Sequence, residues 1–327
     1  MRRRATALLA TLFAGALSLS ATAQTADRPP SRIEVIPIRS TTLTGDEFLR
    51  GGAPGREVWL AGELRLPPGA AARVPAVVLV HGSGGVSGST DLWARELNGI
   101  GVAAFILDSF AGRGIVSTVA DQDQLHSLAM MVDAYRALDR LSEHPRIMPD
   151  RIAVMGFSKG AVAAIYSAGE RFRRMHGNPE RRFAAHIGLY TPCNVRYRGD
   201  TEVSRVPLRF HHGVVDDYVA IGPCREYVER LRAAGADATL AEYPNGQHSF
   251  DNPLAPRLVP VPAAQTTRNC RMEEGEGGAV NVAGTNEVFA QRTSACVATG
   301  AHTGHDPEGE AAVKAAVKDF LRQTLLR

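Results

Sequence analysis

The sequence predicts an α/β fold with a mostly parallel central sheet and helices on both of its faces. Several stretches are almost continuously apolar, which is typical of parallel strands buried on both sides. Helical periodicity fills most of the intervals between them, and this alternation favours right-handed crossovers. The 327 residues suit one large domain or two small ones. Because the chain contains no repeat and no long linker, we expect a single domain over residues 24–327.

The predicted elements follow one another in a regular order. Residues 32–38 and 58–66 alternate between apolar and polar side chains, so we expect an antiparallel edge there. The apolar runs predicted to form the parallel strands are residues 75–80, 102–107, 152–155, 186–190, 208–212 and 238–243. The predicted helices are residues 91–98, 122–141, 159–168, 224–234 and 310–326.

One long segment, residues 252–306, does not fit this alternation. It is rich in Pro, Gly, Thr and Asn and has no clear period. An irregular stretch of this length inside a compact domain is usually functional or held in place. Cys270 and Cys296 lie within it, so we expect a disulfide-pinned, irregular insertion before the last helix.

The N-terminus has the pattern of a secretory signal. Residues 2–4 are arginines, a short apolar stretch follows, and residues 21–23 form an A-x-A cleavage site. We therefore expect residues 1–23 to be removed and the mature protein to be periplasmic or secreted, without a stable membrane anchor. The precursor charge of +3 falls to 0 when the three arginines are lost, which gives no electrostatic case for nucleic acid.

All four cysteines lie in the exported part of the chain. In an oxidising compartment an even number indicates two disulfides, for which three connectivities exist. We favour the sequential pairing, which closes two short loops, Cys193–Cys224 and Cys270–Cys296.

Residues 156–160 read G-x-S-x-G, between a predicted strand and a predicted helix. A serine at such a sharp turn has its hydroxyl pushed out of the sheet, and the glycines let the turn close. The free N–H groups and the dipole of the following helix favour negative charge there. We therefore predict that Ser158 is the nucleophile of an acyl-transfer reaction.

A serine nucleophile needs a base and a group that orients the base, in the chain order Ser, acid, His for this arrangement. Asp216 lies in the turn after the strand at 208–212, where a G-x-x-D turn aims its carboxylate over the sheet. We therefore favour Asp216 as the acid that orients the base, with Asp217 as the alternative. His248 lies in a turn-rich loop after the last predicted strand, and we predict that it is the general base.

The oxyanion of the reaction needs two preorganised donors. One is expected from the N–H of Lys159, and the other from the N–H of Ser83, with Gly84 as the alternative. We expect the side chain of Lys159 to be solvated and to take no part in the chemistry.

The remaining histidines receive other interpretations. We expect His81 to order its loop, and His211 and His212 to pack near the site. His302 and His305 are two histidines in a glycine-bearing loop, which is more often exposed than metal-binding.

Together these segments resemble the dienelactone hydrolase-like branch of the α/β-hydrolases. The resemblance rests on residues 156–160, 213–216, 243–250 and 108–114, and covers roughly residues 55–251 and the final helix. It implies the α/β-hydrolase fold and an esterase-type triad of Ser158, Asp216 and His248. Dienelactone hydrolases proper carry cysteine at the nucleophile position, so the resemblance predicts fold and reaction type rather than the substrate.

We therefore expect an exported serine hydrolase that cleaves a small carboxylic ester or related acyl compound and needs no cofactor. A peptidase or amidase on the same fold, and a non-catalytic binding protein, remain the alternatives. Aromatic side chains predicted to line the substrate pocket are Phe110, Tyr190, Tyr218 and Phe250.

Overall fold

The computed structural model describes residues 32–70 and 72–327 of the chain, so the predicted signal segment lies outside the described residues. The strands are β1 Ile33–Thr42, β2 Arg56–Arg65, β3 Val74–Val80, β4 Ala103–Asp108, β5 Ile147–Phe157, β6 His186–Leu189, β7 Val195–Arg196, β8 Leu208–Gly213, β9 Ala238–Tyr243, β10 Val259–Thr266, β11 Met272–Glu274, β12 Val280–Val282 and β13 Ala298–Thr303. The α-helices are α1 Gly45–Arg50, α2 Gly88–Gly99, α3 Ser127–Ser142, α4 Lys159–Tyr166, α5 Glu170–His176, α6 Gly222–Ala233 and α7 Pro307–Leu325. Short 3₁₀ turns occupy Ala111–Arg113, Gln122–Gln124 and Glu276–Gly278.

The main sheet has eight strands in the order β1-β2-β4-β3-β5-β6-β8-β9. Strand β2 pairs antiparallel with both β1 and β4, and the pairs from β4 through β9 are parallel. The alternating pattern of the first two strands and the apolar pattern of the rest therefore predicted their pairing correctly.

Both faces of the sheet are buried, as the apolar strands require. Alternate side chains point to opposite faces of a strand. Along β3, Val78 packs into the cluster that α3, α4 and α6 cover, whereas Val77 and Leu79 pack with α2 and α7 on the other side. No helix in the described parts of the chain is long and apolar enough to cross a membrane.

The insertion, residues 252–306, contains more regular structure than its composition predicts. Strands β10 and β13 pair antiparallel, while β11 pairs with β12 and, in parallel, with β7 of the main body. Strands β11 and β12 have three residues each, and the partners of β10 and β11 in β13 and β7 are distant in sequence. Because short pairings of this kind leave no periodic pattern, the sequence predicted an irregular segment.

Both disulfides join the cysteines that the sequential pairing predicts. Cys193 is bonded to Cys224, and Cys270 is bonded to Cys296 within the insertion. Such bonds persist in oxidising environments, so they indicate an extracellular or periplasmic location.

Candidate active site

Ser158 lies at the turn between β5 and α4, at the carboxyl edge of the parallel strands. Its backbone has φ 51° and ψ −117°, a left-handed conformation that L-residues rarely adopt. The turn is closed by its glycines. A Cβ on Gly156 would lie 2.2 Å from the carbonyl oxygen of Gly160, and one on Gly160 would lie 2.2 Å from that of Val80. The spacing of the pentapeptide thus follows from backbone contact on both sides of the serine.

Three side chains predicted from the sequence meet at this turn. The hydroxyl of Ser158 is 3.0 Å from Nε2 of His248, and Nδ1 of His248 is 2.8 Å from Oδ2 of Asp216. In the tautomer that satisfies both contacts, Nδ1–H donates to the carboxylate and Nε2 accepts from the hydroxyl. The imidazole is therefore oriented to withdraw a proton from the serine.

Asp216 is buried and its carboxylate is fully engaged. The backbone N–H groups of Tyr218 and Val219 donate to Oδ1 at 2.9 and 2.8 Å, and Nε2 of His212 lies 3.6 Å from Oδ2. Burial by itself raises the pKa of Asp216, but the electrostatic interaction of the carboxylate with His248 and the contacts from His212 and His248 outweigh it. The pKa of Asp216 consequently lies well below its usual range, and the carboxylate stays ionised.

Asp217, the alternative acid, points elsewhere. Its carboxylate accepts hydrogen bonds from the backbone N–H and from Nδ1 of His302, both at 2.8 Å. His305 pairs with Glu310 at 2.7 Å. Within residues 32–70 and 72–327, no group of three or more His, Cys, Asp or Glu side chains could hold a metal ion.

His248 is held from several directions. Its carbonyl oxygen accepts from the N–H of Gly304, and its backbone forms a β-bridge with Thr303 at the end of β13. The rings of Tyr190 and Tyr218 lie on it, each with a centroid distance of 4.6 Å. The insertion therefore helps to place the base. The two other non-glycine residues with positive φ, among those described, are Tyr190 (41°) and Ser249 (61°), beside the same histidine.

The glycine-rich loop after β3, residues 81–85, lies directly against the turn that carries Ser158. A Cβ on Gly82 would be 3.2 Å from the carbonyl oxygen of Phe157 and 3.4 Å from the Cβ of Ser158. His81 orders this loop, because Nδ1 contacts the carbonyl of Gly82 at 2.8 Å and Nε2 accepts from the N–H of Ser109 at 3.2 Å. Burial lowers the pKa of His81, which favours the neutral imidazole that these contacts need.

The Lys159 side chain contradicts the expectation that it is solvated. The residue is only 7% exposed, and its ammonium donates to the carbonyl and to Oε1 of Gln122, both at 2.9 Å. Burial lowers the pKa of Lys159 to about 7, although the carboxylates of Asp123 and Asp121 oppose the shift. The position of Lys159 at the start of a helix led to the expectation that its side chain is exposed. The sequence does not show that the segment at 117–124 packs over this side chain.

A cavity of about 760 Å³ opens at Ser158 and is lined by Ser83, Lys159 and Tyr218, together with residues of the insertion. Of the four aromatic side chains predicted to line it, only Tyr218 does so. Phe110 packs edge-on against His81, while Tyr190 and Phe250 pack with each other in the core. Their positions near strand ends therefore reflect packing. The insertion residues that line the cavity instead include Met272, Val280, Val288 and Phe289.

A serine on a strand-to-helix turn of a mostly parallel sheet, with a histidine and an aspartate in reach, defines an α/β-hydrolase. The sequence matches the model of the dienelactone hydrolase family over residues 60–274, more than half of the chain, and the protein therefore belongs to this family. The chain is accordingly a hydrolase that acts on ester bonds. The search of curated proteins gave no match.

The solved structures that share the fold include two that match about nine-tenths of this chain. A dienelactone hydrolase-like promiscuous phosphotriesterase from metagenomic libraries superposes with a TM-score of 0.56 and 18% identity, covering 89% of this chain and 98% of that one. A structure named m3DLH superposes with a TM-score of 0.58 and 20% identity, covering 90% of this chain and 99% of that one. At these identities the likeness concerns the fold.

Proposed function

We propose that this protein is an exported serine esterase in which Ser158, His248 and Asp216 form the catalytic triad. The observation that carries the proposal is the continuous chain of contacts from the Ser158 hydroxyl through His248 to Asp216, at 3.0 and 2.8 Å. The order of these residues along the chain is the one that this fold uses. The substrate is a small carboxylic ester.

In the first half of the reaction, Oγ of Ser158 attacks the ester carbonyl while Nε2 of His248 takes the hydroxyl proton. Asp216, held ionised, stabilises the imidazolium that results. The negative oxygen of the tetrahedral intermediate is held by the backbone N–H groups of Ser83 and Lys159. When the C–O bond breaks, His248 gives the proton to the leaving alcohol, and the acyl group remains on Ser158.

In the second half, water replaces the alcohol. His248 takes one proton from the water as its oxygen attacks the acyl carbon. The second tetrahedral intermediate collapses, the proton returns to Oγ of Ser158, and the carboxylic acid leaves. The cycle is a hydrolysis that uses only the ester and water.

We also propose that the mature protein is a single domain, residues 24–327, released by removal of the signal segment at 1–23. The two disulfides support an oxidising destination for the chain. The segment 1–23 carries the arginines, the apolar stretch and the cleavage pattern of a signal peptide.

The test of the triad is the substitution S158A. We expect hydrolysis of short p-nitrophenyl esters to fall by a factor of about 10⁴ or more, because the acyl-enzyme can no longer form. A fluorophosphonate probe should label the wild type and not the variant, while both give the same circular dichroism spectrum. Esterase activity that survives the substitution would exclude Ser158 as the nucleophile.

Amide hydrolysis is separated from ester hydrolysis by a matched pair of substrates. Acyl esters and the corresponding amides and short peptides should be compared at equal concentration. We expect turnover of the esters to exceed that of the amides by orders of magnitude. A preference for the amides would replace the esterase by a peptidase or amidase, and a wild type that reacts with none of the substrates or the probe would indicate a binding protein.

A further inference from the structure

A network of side-chain hydrogen bonds surrounds Ser83, one of the two proposed oxyanion donors. The hydroxyl of Ser83 donates to Oε1 of Gln122 at 3.1 Å. Its carbonyl oxygen accepts from the N–H of Thr118 at 2.8 Å and from the hydroxyl of Ser117 at 3.2 Å. The loop that carries the donor is therefore held by residues 117–122.

Lys159 holds the same segment from the other side. Its ammonium donates to two oxygens of Gln122, and one of them, Oε1, is also the acceptor for the Ser83 hydroxyl. Gln122 thus bridges the residues whose N–H groups are proposed to bind the oxyanion. Hydrogen bonds from a charged donor are stronger than neutral ones, so this bridge is strongest while Lys159 is protonated.

The insertion closes the network from outside. Oε1 of Gln265, at the end of β10, accepts from the N–H of Gln122 at 2.9 Å. The N–H of Gln265 donates to the carbonyl of Val119, and its Nε2 donates to the carbonyl of Gln291, both at 2.9 Å. A continuous path of hydrogen bonds therefore runs from Lys159 to the segment that forms the wall of the cavity.

A buried ammonium is an unfavourable choice for packing alone. An apolar side chain of similar volume usually gives an equal or higher stability at a buried position, because the desolvation cost of the charge is removed. The contacts of the Lys159 ammonium all go to Gln122. Its place at the proposed oxyanion hole indicates a functional reason for the charge.

We propose that Lys159 and Gln122 are positioning residues, which hold the N–H of Ser83 at the oxyanion and couple it to the insertion through Gln265. The inference rests on the proposed esterase function. It gives the Lys159 side chain a role separate from that of the Lys159 backbone N–H. It also implies that the insertion affects kcat as well as the shape of the cavity.

The experiment compares K159M with K318M, a matched control whose ammonium pairs with Glu96 on the far side of the sheet. In K159M we expect kcat to fall about tenfold to a hundredfold, with KM within about twofold of the wild-type value. This loss is smaller than the one expected when an oxyanion donor is removed completely, because the N–H of Ser83 is only displaced. The inhibition constant for phenylboronic acid, whose serine adduct places an oxygen in the oxyanion hole, should rise by the same factor. K318M should leave all three constants within about twofold.

Two further variants test the other hydrogen-bonded residues between Lys159 and the insertion. Q122L removes the shared acceptor and should reproduce the kcat and boronate effects of K159M, whereas Q265L should give a smaller effect of the same kind. The thermal unfolding midpoint of K159M should equal or exceed that of the wild type, because the variant buries no charge.

The outcomes separate the possibilities cleanly. A rise in KM at constant kcat would show that Lys159 contacts the substrate, and a loss of activity that parallels a loss of thermal stability would show a structural role; both overturn the proposal. Unchanged kcat in both K159M and Q122L overturns it as well. An active wild type with any of these results leaves the esterase proposal standing, whereas a wild type inactive on every ester removes both.

Discussion

The sequence could predict the three residues of the proposed triad because the chemistry constrains their order and their location at strand ends. Ser158, Asp216 and His248 each follow a predicted strand of one parallel sheet, and such ends meet at one edge. The G-x-x-D spacing favoured Asp216 over Asp217, and in the structure the two carboxylates have different partners, His248 for Asp216 and His302 for Asp217. The burial of Lys159 could not be predicted, since it depends on Gln122, a residue distant in sequence.

The two adjacent aspartates provide a matched pair for testing the orienting acid. D216N removes the carboxylate that fixes the tautomer of His248, so we expect kcat to fall by a factor of about 10³ to 10⁴. D217N breaks only the contact with His302 and should change kcat by less than about tenfold. Both are measured with one p-nitrophenyl ester under saturating conditions.

The pH dependence of this pair follows from the lowered pKa of Asp216. The folded protein keeps this carboxyl ionised below its ordinary range, so its contribution to stability is present above that range and is lost as the pH falls through the folded pKa. The wild-type carboxyl is therefore ionised throughout the range from about pH 6 to about pH 9, so the loss of kcat in D216N should persist across that range. A defect that vanished at the alkaline end, or an equal defect in D217N, would contradict the assignment.

At the scale of elements, the insertion is the part of the fold that the sequence described least well. The ends of the main strands and helices were predicted to within five residues, because their apolar patterns are long and regular; the largest differences are the starts of β5 and α3, at Ile147 and Ser127. The helices at Gly45–Arg50 and Glu170–His176 were missed, as each is too short to show a period. Only the cysteines at 270 and 296 signalled that the insertion is held in place.

The bond within the insertion can be tested by the double substitution C270S/C296S. It releases a loop with a sequence separation of 26 residues. We expect the free energy of unfolding to fall by about 3 kcal/mol in the chain-entropy model. KM should rise as well, because the insertion forms a wall of the cavity at Ser158. Urea unfolding and steady-state kinetics measure the two effects.

Limited proteolysis supplies the spatial control. New cleavage in C270S/C296S should fall within residues 252–306, whereas C193S/C224S should open the chain near the turn of Asp216, since Cys224 lies in the first turn of the next helix, α6. Cleavage at the same positions in both variants would show that the two bonds do not act on separate regions.

At the scale of the whole molecule, cysteine usage indicates an extracellular or periplasmic compartment. The arginines at 2–4 account for the whole precursor charge of +3, and the remainder is neutral. Both disulfides join residues that lie far beyond the predicted signal. The amino-acid composition could predict the compartment, because that prediction depends only on the number of cysteines. It could not predict the cavity at Ser158, because the cavity depends on how the residues are arranged in space.

Export can be measured directly on the protein. Intact mass of the protein from the medium or periplasm should correspond to a chain that begins after Ala23, with four cysteines oxidised. A variant that lacks residues 2–23 should stay in the cytoplasm with reduced thiols, and oxidative refolding in vitro should restore its activity. An exported chain that retains Met1 would contradict the cleavage site.

The left-handed backbone at Ser158, Tyr190 and Ser249 has a consequence for engineering this molecule. Conformations of this kind cost about 1 to 3 kcal/mol each, and here they are concentrated around one histidine. The rest of the fold must supply a surplus of stability that compensates for them. We expect selection for thermal stability alone to favour substitutions that remove the strain at these three positions. Such variants should be more stable and should have a lower kcat.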